Sequence, residues 1–138
     1  MKISRDRPQS RKGPDDWFTG DVWMDTIQAV GDVGAPDERG QTLSVHFSPG
    51  ARTAWHHHPH GQVLYVLEGE GRAQSRGGPV RVIRPGDTIR FDPGEEHWHG
   101  AAPGTFMTHL AIQGADADGV PTHWGEHVTD EEYLAETS

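Results

Sequence analysis

Residues 50–71 read GARTAWHHHPHGQVLYVLEGEG, a stretch that combines strand patterning with four of the chain's ten histidines. If residues 51–58 form a strand, alternation places Ala54, His56 and His58 on one face and Trp55 and His57 on the other. Two imidazoles that are two residues apart on an inner face can bind one metal ion. The pattern therefore predicts a pair of metal ligands, with His57 pointing outward and exposed.

A proline and a glycine separate this strand from the next one. Pro59 and Gly61 interrupt the ladder, and an alternating apolar pattern restarts at Gln62, which would share a side with Leu64. His60 has the same parity and competes with Gln62 as a ligand, but its neighbours Pro59 and Gly61 favour a position in the bend. We expect Gln62, rather than His60, to face the histidine pair.

A second histidine pair follows farther along the chain, in PGEEHWHG at residues 93–100. His97 and His99 again stand two residues apart after a Pro-Gly turn, and His97 lies 35 positions beyond Gln62. Two histidines, an amide side chain and a distant histidine make a plausible four-ligand set. The spacing predicts a metal site assembled from two hairpins.

Composition limits the classes of protein and partner. At 138 residues the chain is long enough for one domain with a core, and its net charge of -9 makes nucleic acids and acidic membrane surfaces poor partners. The absence of cysteine excludes disulfides and thiolate chemistry. No apolar run approaches the roughly 20 residues of a membrane span, so we expect a cytoplasmic protein. Its expected partner is a small-molecule substrate.

Turn residues indicate an all-β fold. The chain contains 18 glycines and 10 prolines, and three Pro-Gly pairs, at residues 49–50, 85–86 and 93–94, are typical of type II turns. Short strand-like segments recur about every ten residues, as expected for a sandwich or barrel. Thr129 followed by acidic residues has the form of a capping box and predicts a short helix in TDEEYLAE.

The two histidine segments resemble the characteristic motifs of the cupin family. Residues 50–71 resemble the first motif, and GDTIRFDPGEEH, residues 86–97, is similar to the second, with Asp92 where proline is usual. This resemblance implies a single jelly-roll β-barrel whose metal ligands are His56, His58, Gln62 and His97. Most metal-binding cupins have glutamate at the position of Gln62. We divide the chain into an N-terminal arm with one or two strands (1–40), a barrel core (41–113) and a C-terminal extension (114–138).

A narrower resemblance concerns activity. The segments KGPDDWFTG, PGARTAWHHHPHGQ, PGEEHWHGAAP and MTHLAIQ are similar to those of the bacterial manganese-dependent hydroxynitrile lyases, small cupins that cleave or form cyanohydrins. The resemblance implies that His109 and Gln113 face the metal. Strand parity agrees, because Met107, His109, Ala111 and Gln113 share one face of FMTHLAIQ.

These similarities imply a cyanohydrin lyase that binds one divalent metal ion per subunit, with Mn as the first choice. The ligand types also permit Fe, Co, Ni or Zn. Neutral ligands leave the cation its full charge, which favours polarising a substrate hydroxyl. We expect His109, helped by His99, to remove the hydroxyl proton and Gln113 to hydrogen-bond cyanide, although His99 could instead support a ligand or pack beside Trp98. The apolar residues expected at the substrate pocket are Leu43, Val45, Phe47, Leu64 and Met107.

Two other functions use the same residues. A metal-dependent dioxygenase needs the same open coordination site, and a non-catalytic small-molecule-binding cupin needs only the pocket. The apolar arm segment DWFTGDVWMDTI and the open sheet edges predict a homodimer or homotetramer. Arg52 is expected to form a surface or interface ion pair that contributes little stability.

Overall fold

The structure is a computed structural model that describes residues 1–32 and 38–138; residues 33–37 of the predicted arm lie outside the described part. The described residues form short strands and one helical turn. In chain order these elements are β1 (Arg11–Lys12), β2 (Phe18–Thr19), β3 (Val22–Gln28), β4 (Gly40–Phe47), β5 (Arg52–Thr53), β6 (His56–His57), β7 (Gln62–Gly69), β8 (Gly71–Ser75), β9 (Arg81–Ile83), β10 (Thr88–Phe91), β11 (His97–Ala101), β12 (Met107–Gly114), β13 (His123–Trp124) and α1 (Asp130–Tyr133).

The strands form two antiparallel sheets. The first sheet has the order β1-β3-β4-β12-β7-β10, so strands distant in the chain are neighbours at its centre. The second has the order β13-β6-β11-β5-β2, and β8 joins it by pairing with both β11 and β9. This nearly all-β arrangement confirms the predicted fold class, including the short C-terminal helix.

Apolar side chains from both sheets form the main core. Alternation along β7 and β12 supplies its centre, because every second residue of each strand points inward. Leu64, Val66 and Met107 are fully buried there, while Tyr65 and Ile112 on the same two strands are exposed. The predicted faces of these two strands are therefore confirmed.

The three Pro-Gly turns are confirmed by the backbone. Gly50, Gly86 and Gly94 have φ values of 80°, 90° and 75°. Side chains with a Cβ rarely adopt this left-handed conformation, so glycine is the residue that each turn requires.

A second cluster lies on the other side of the histidine-bearing strands. Trp55 and Trp98 point away from the histidines and pack with Val128 and Tyr133 of the C-terminal extension. The helix that carries Tyr133 begins with the predicted capping box, in which the Thr129 side chain accepts from the Glu132 backbone. The helix ends at Tyr133 and is therefore shorter than the predicted segment TDEEYLAE.

Arg52 is buried, contrary to the surface position that we expected. The residue is 5% exposed, and Nη2 donates to the Val128 carbonyl at 2.9 Å and to the Asp130 carboxylate at 2.7 Å. The guanidinium also lies 4.6 Å from the centre of the Tyr133 ring. Arg52 thus binds the C-terminal extension to the barrel, a role that sequence parity could not show.

Two local expectations need correction. The strand expected at residues 51–58 is broken at Ala54 and Trp55, whose backbone N–H groups donate outside the sheet, to Trp17 and Glu126 carbonyls. The described part of the arm contains three strands rather than one or two. Among the described residues, no helix has the length and apolar character needed to cross a bilayer.

Candidate metal and active site

Three histidines meet where β6 pairs with the start of β11. His56 and His97 are cross-strand partners with ring centroids 4.3 Å apart. The His58 ring, two residues beyond His56, lies 5.0 Å from His56 and 5.4 Å from His97. All three side chains are buried. The two predicted halves of the site therefore converge.

The same hydrogen bond orients each of these three rings. Every Nδ1 lies 2.8–2.9 Å from a backbone carbonyl oxygen, that of Ala54 for His56, Pro121 for His58 and Glu95 for His97. Carbonyl oxygens only accept, so each Nδ1 carries the proton and each Nε2 keeps a free lone pair. This is the arrangement by which proteins prepare imidazoles for metal binding.

Burial keeps these imidazoles neutral. Desolvation lowers the pKa of His97 to about 3 and lowers the pKa of His58. Desolvation, followed by the charges of His97 and His58, places the pKa of His56 well below its ordinary value. Neutral rings are the form in which histidine binds a cation.

Gln62 completes the group with an oxygen. Its Oε1 lies 3.0 Å from His97 Nε2, while His97 Nδ1 is 2.8 Å from the Glu95 carbonyl oxygen. A neutral imidazole has one N–H, so His97 cannot donate to both oxygens. With the proton on Nδ1, the lone pair of His97 Nε2 faces the lone pairs of the Gln62 oxygen. His58 Nε2 is also buried without a partner among the described residues. A cation among these lone pairs removes the conflict, and the donors therefore fit a divalent metal ion.

A second pair of histidines adjoins this group. His109 Nε2 lies 3.0 Å from His99 Nδ1, and both side chains are buried. His99 also offers a ring nitrogen within 4.8 Å of those of His56 and His97, so these three form a possible metal-binding trio. His58 is outside that trio. Its buried Nε2 lacks a hydrogen-bond partner in the described part of the chain, so we include His58 among the candidate ligands.

The His99–His109 pair is suited to holding a proton. Burial, followed by the charge of His109, keeps the pKa of His99 well below its ordinary range, and burial lowers the pKa of His109 to about 4. His99 Nε2 and His109 Nδ1 have no partner within residues 1–32 and 38–138. Because the two rings share one hydrogen bond, a proton gained by either ring can be stabilised by the other.

These groups open onto a cavity of about 460 Å³. Its aromatic wall contains Trp17, Phe18 and Trp124, and the Trp17 and Trp124 rings are stacked with centroids 5.1 Å apart. Trp124 also lies 4.7 Å from the His56 ring, so the wall reaches the histidine cluster. The cavity thus joins polar groups to an apolar, aromatic chamber, as small-molecule sites do.

The structure brings together most of the residues selected from the sequence. The following line the cavity: Leu43, Val45, Phe47, His56, His58, Gln62, His99, His109 and Gln113. His97 contacts them through Gln62. Leu64 and Met107, expected at the pocket, instead lie in the main core, because the inner face of the barrel supplies core as well as cavity.

Two neighbouring histidines have other positions. His60 is exposed in the turn before β7, which leaves Gln62 as the side chain that faces the cavity. His57 is half-buried rather than exposed, because its ring stacks on His123 of β13 at 5.0 Å. Pairing of β13 with β6, invisible in the sequence, covers it.

Several site residues were missed. Pro121 and Trp124 belong to the C-terminal extension, and no local pattern indicates that this segment returns to the histidines. Gln41 had a usable signal, because it is two residues before Leu43 and so shares its face of β4. Its side chain accepts a hydrogen bond from Gln113.

The fold and site together define a small double-sheet β-barrel with a buried histidine and glutamine cluster suited to a cation. The profile of the Cupin domain family matches residues 43–110. A relative from Granulicella tundricola, described as an (R)-mandelonitrile lyase, is 56% identical over 135 residues, which are 96% of this chain and 98% of the relative. The chain belongs to the cupin family.

Solved structures agree with this assignment. A cupin-like protein from Thermotoga maritima is 39% identical, with a TM-score of 0.77 over 96% of this chain and 95% of its own. A predicted oxalate decarboxylase from the same organism is 22% identical, with a TM-score of 0.68 over 81% of this chain and 96% of its own. The second likeness supports the fold alone.

Proposed function

We propose that this protein is a manganese-dependent hydroxynitrile lyase that cleaves or forms cyanohydrins. The observation that carries the proposal is the cluster of free imidazole and amide lone pairs beside the buried His99–His109 pair. The 56% identity to a relative described as an (R)-mandelonitrile lyase supports the reaction class. In this proposal His56, His58, Gln62 and His97 bind the metal.

The ligand set fits a redox-neutral reaction. Three neutral imidazoles and an amide oxygen add no negative charge, so the bound cation keeps its full charge. A divalent cation held by these residues would supply Lewis-acid chemistry, which would lower the pKa of a cyanohydrin hydroxyl.

The histidine pair takes the proton that the hydroxyl loses. His99 is the member nearer the proposed ligands, and its Nδ1 shares a hydrogen bond with His109 Nε2. We therefore assign the proton to the pair, with His99 facing the substrate and His109 behind it, whereas the sequence and its resemblance to the hydroxynitrile lyases had led us to expect His109 as the base, helped by His99. Both residues start neutral, because burial lowers both pKa values, so they can accept a proton.

Loss of the proton is coupled to cleavage of the carbon–carbon bond. The O–H electrons form the carbonyl, the C–C electrons leave with cyanide, and the proton on the histidine pair converts cyanide to hydrogen cyanide. Gln113 lines the cavity, and an N–H of its amide can donate to the departing nitrogen. The stacked Trp17 and Trp124 rings offer a surface for an aromatic substituent.

The test is cleavage of mandelonitrile by the purified, manganese-loaded protein, measured as benzaldehyde release. The variants His99→Ala and His109→Ala should each lower kcat by about 10²- to 10⁴-fold, the usual contribution of a positioned acid–base group. His127→Gln, at an exposed position, is the histidine control and should retain activity. Absence of cleavage by the loaded wild type across pH 4 to 7 would refute the assignment, and oxygen uptake would indicate a dioxygenase instead.

We also propose that the protein forms a homodimer through the outer face of its first sheet. Large apolar side chains between 40% and 55% exposed lie on strands of that sheet, and alternation points them away from the core: Trp23, Ile27, Tyr65, Leu67 and Ile112. Large exposed apolar side chains gathered on one face of a sheet are typical of an interaction site.

A further inference from the structure

Three glutamines form one row across the centre of the first sheet. Gln113 of β12 is the direct cross-strand partner of Gln41 in β4 and of Gln62 in β7. All three therefore lie side by side on the inner face, and all three line the cavity. The row begins at the cavity wall with Gln41 and ends at the histidines with Gln62.

Hydrogen bonds connect the row in one direction. Gln62 Nε2 donates to Gln113 Oε1 at 3.0 Å, and Gln113 Nε2 donates to Gln41 Oε1 at 2.6 Å. At the opposite end, Gln62 Oε1 is directed toward His97 Nε2. All three amides therefore point the same way: each oxygen is on the side nearer the histidines, and each nitrogen is on the opposite side.

The orientations of the three amides depend on one another. A glutamine amide has one accepting and one donating end, so reversing any member places two oxygens or two NH₂ groups against each other unless its neighbours also reverse. Gln62 and Gln113 are buried, so an unmatched contact between them would lack compensation by water. The row therefore has two consistent states, one with oxygen and one with nitrogen toward the histidines.

A cation distinguishes these two states. Without a cation, the bare Nε2 of neutral His97 would be better matched by the Gln62 NH₂ group than by its oxygen. A metal ion requires the oxygen. The observed direction of the row is the state that binds metal, and whatever fixes the far end of the row contributes to metal affinity.

We propose that Gln41 is a positioning residue that, through Gln113, holds the Gln62 oxygen toward the metal. The proposal rests on the metal site of the proposed function. It also explains how Gln113 is prepared for substrate: with its oxygen engaged by Gln62, Gln113 can offer the cavity only an N–H. Gln41 therefore acts on both the cation and the polarity of the substrate contact.

The test replaces Gln41 by residues that allow only one direction of the hydrogen bonds along the row. A carboxylate can only accept, so Gln41→Glu preserves the observed direction, whereas an ammonium group can only donate, so Gln41→Lys imposes the reverse. Charge itself changes cation affinity, and Thr26 supplies the matched controls, because it lines the same cavity on the adjacent strand β3. Thr26→Glu and Thr26→Lys add the same charges without replacing a member of the glutamine row.

Mn²⁺ alone is the probe, and its dissociation constant is measured by the loss of the free-ion electron paramagnetic resonance signal. Gln41→Lys should bind Mn²⁺ about 10- to 100-fold more weakly than Thr26→Lys, the usual effect of removing support behind a metal ligand. Gln41→Glu should match Thr26→Glu within about threefold, since the direction of the row is kept. The visible spectrum of bound Co²⁺ should change in Gln41→Lys, because an oxygen ligand is lost, and stay unchanged in Gln41→Glu.

Equal Mn²⁺ affinities of Gln41→Lys and Thr26→Lys would overturn the role of Gln41. Gln41→Met guards against misfolding of the lysine variant, because it ends the row without charge; it should bind more weakly than wild type, and wild-type affinity would count against the proposal. Failure of the wild type to bind Mn²⁺ would instead overturn the metal site itself. Wild-type binding without cyanohydrin cleavage would remove the lyase reaction and leave the role of Gln41 standing.

Discussion

The buried His109 should make the free energy of unfolding fall in acid. Its folded-state pKa is lowered to about 4 by burial, whereas an unfolded histidine has a pKa near 6.5. Below pH 6.5 the unfolded chain therefore binds a proton that the folded chain does not, and stability falls as pH drops. The loss develops between pH 6.5 and about 4 and then levels off, because below that range both states are protonated.

The size of the effect follows from the two pKa values. At pH 5 the difference costs about 2 kcal/mol of unfolding free energy relative to neutral pH. A domain of this size has roughly 5–15 kcal/mol in total, so one histidine removes a measurable part. The His109→Gln variant has no titrating group at this position and should lose about 2 kcal/mol less than wild type between pH 7 and pH 5.

The assay is urea unfolding followed by tryptophan fluorescence at both pH values, with a chelator present so that metal binding does not contribute. His56, His58 and His97 titrate in both proteins, so their effects cancel when the pH dependences are subtracted. Most of the effect of His99 cancels as well, because desolvation, the larger cause of its lowered pKa, remains in the variant and the charge of His109 is the smaller cause. His127→Gln is the control for replacing a histidine at an exposed position and should keep the unfolding free energy at pH 7 within about 0.5 kcal/mol of wild type. Equal losses in wild type and His109→Gln would refute the claim that burial keeps His109 neutral.

Four further outcomes are expected. Gln62→Glu should bind Mn²⁺ more tightly in a titration yet cleave mandelonitrile more slowly, because a carboxylate neutralises part of the cation's charge; faster cleavage would contradict this. Trp17→Leu should raise KM for mandelonitrile about fivefold, the effect of losing one aromatic contact, and leave acetone cyanohydrin unaffected, as steady-state kinetics can show. Arg52→Met should lower the unfolding free energy by about 2 kcal/mol in urea, because buried hydrogen bonds from a charged group are lost; an unchanged urea midpoint would argue against the anchoring role. Ile112→Lys should convert the proposed dimer to monomer in light scattering, whereas a wild-type monomer at micromolar concentration would exclude the dimer.

Much of the barrel was accessible from local patterns. The strand that starts at Gln62 and the inward face of residues 107–113 followed from alternation, since a pleated strand directs every second side chain to the same side. Glycine after proline marked the turns because few other residues tolerate positive φ. The two histidine pairs lie far apart in the chain, yet their convergence could be expected from their resemblance to two motifs of one family.

Other features were set by contacts between distant segments. The continuous strand expected around Trp55 is broken because Ala54 and Trp55 find backbone partners in the arm and the C-terminal extension. Leu64 and Met107 point inward as predicted, but they lie in the core and not at the cavity. Alternation along a strand separates inward from outward side chains and cannot separate core from cavity. Arg52 was misplaced for a similar reason, since its partners lie more than 75 residues away in the chain.

By itself, the sequence determined the all-β fold, the turns, the inward faces and the donor types of the candidate site, because each depends on residues within a few positions of one another. The tertiary structure alone decided how those donors are oriented. Three contacts set the orientation: the Pro121 carbonyl with His58, the His99–His109 hydrogen bond, and the hydrogen bonds of the glutamine row. Each joins separate strands or loops, between 10 and 72 positions apart in the chain. Hydrogen-bond polarity depends on which partner lies opposite, and that is settled only when the sheets close.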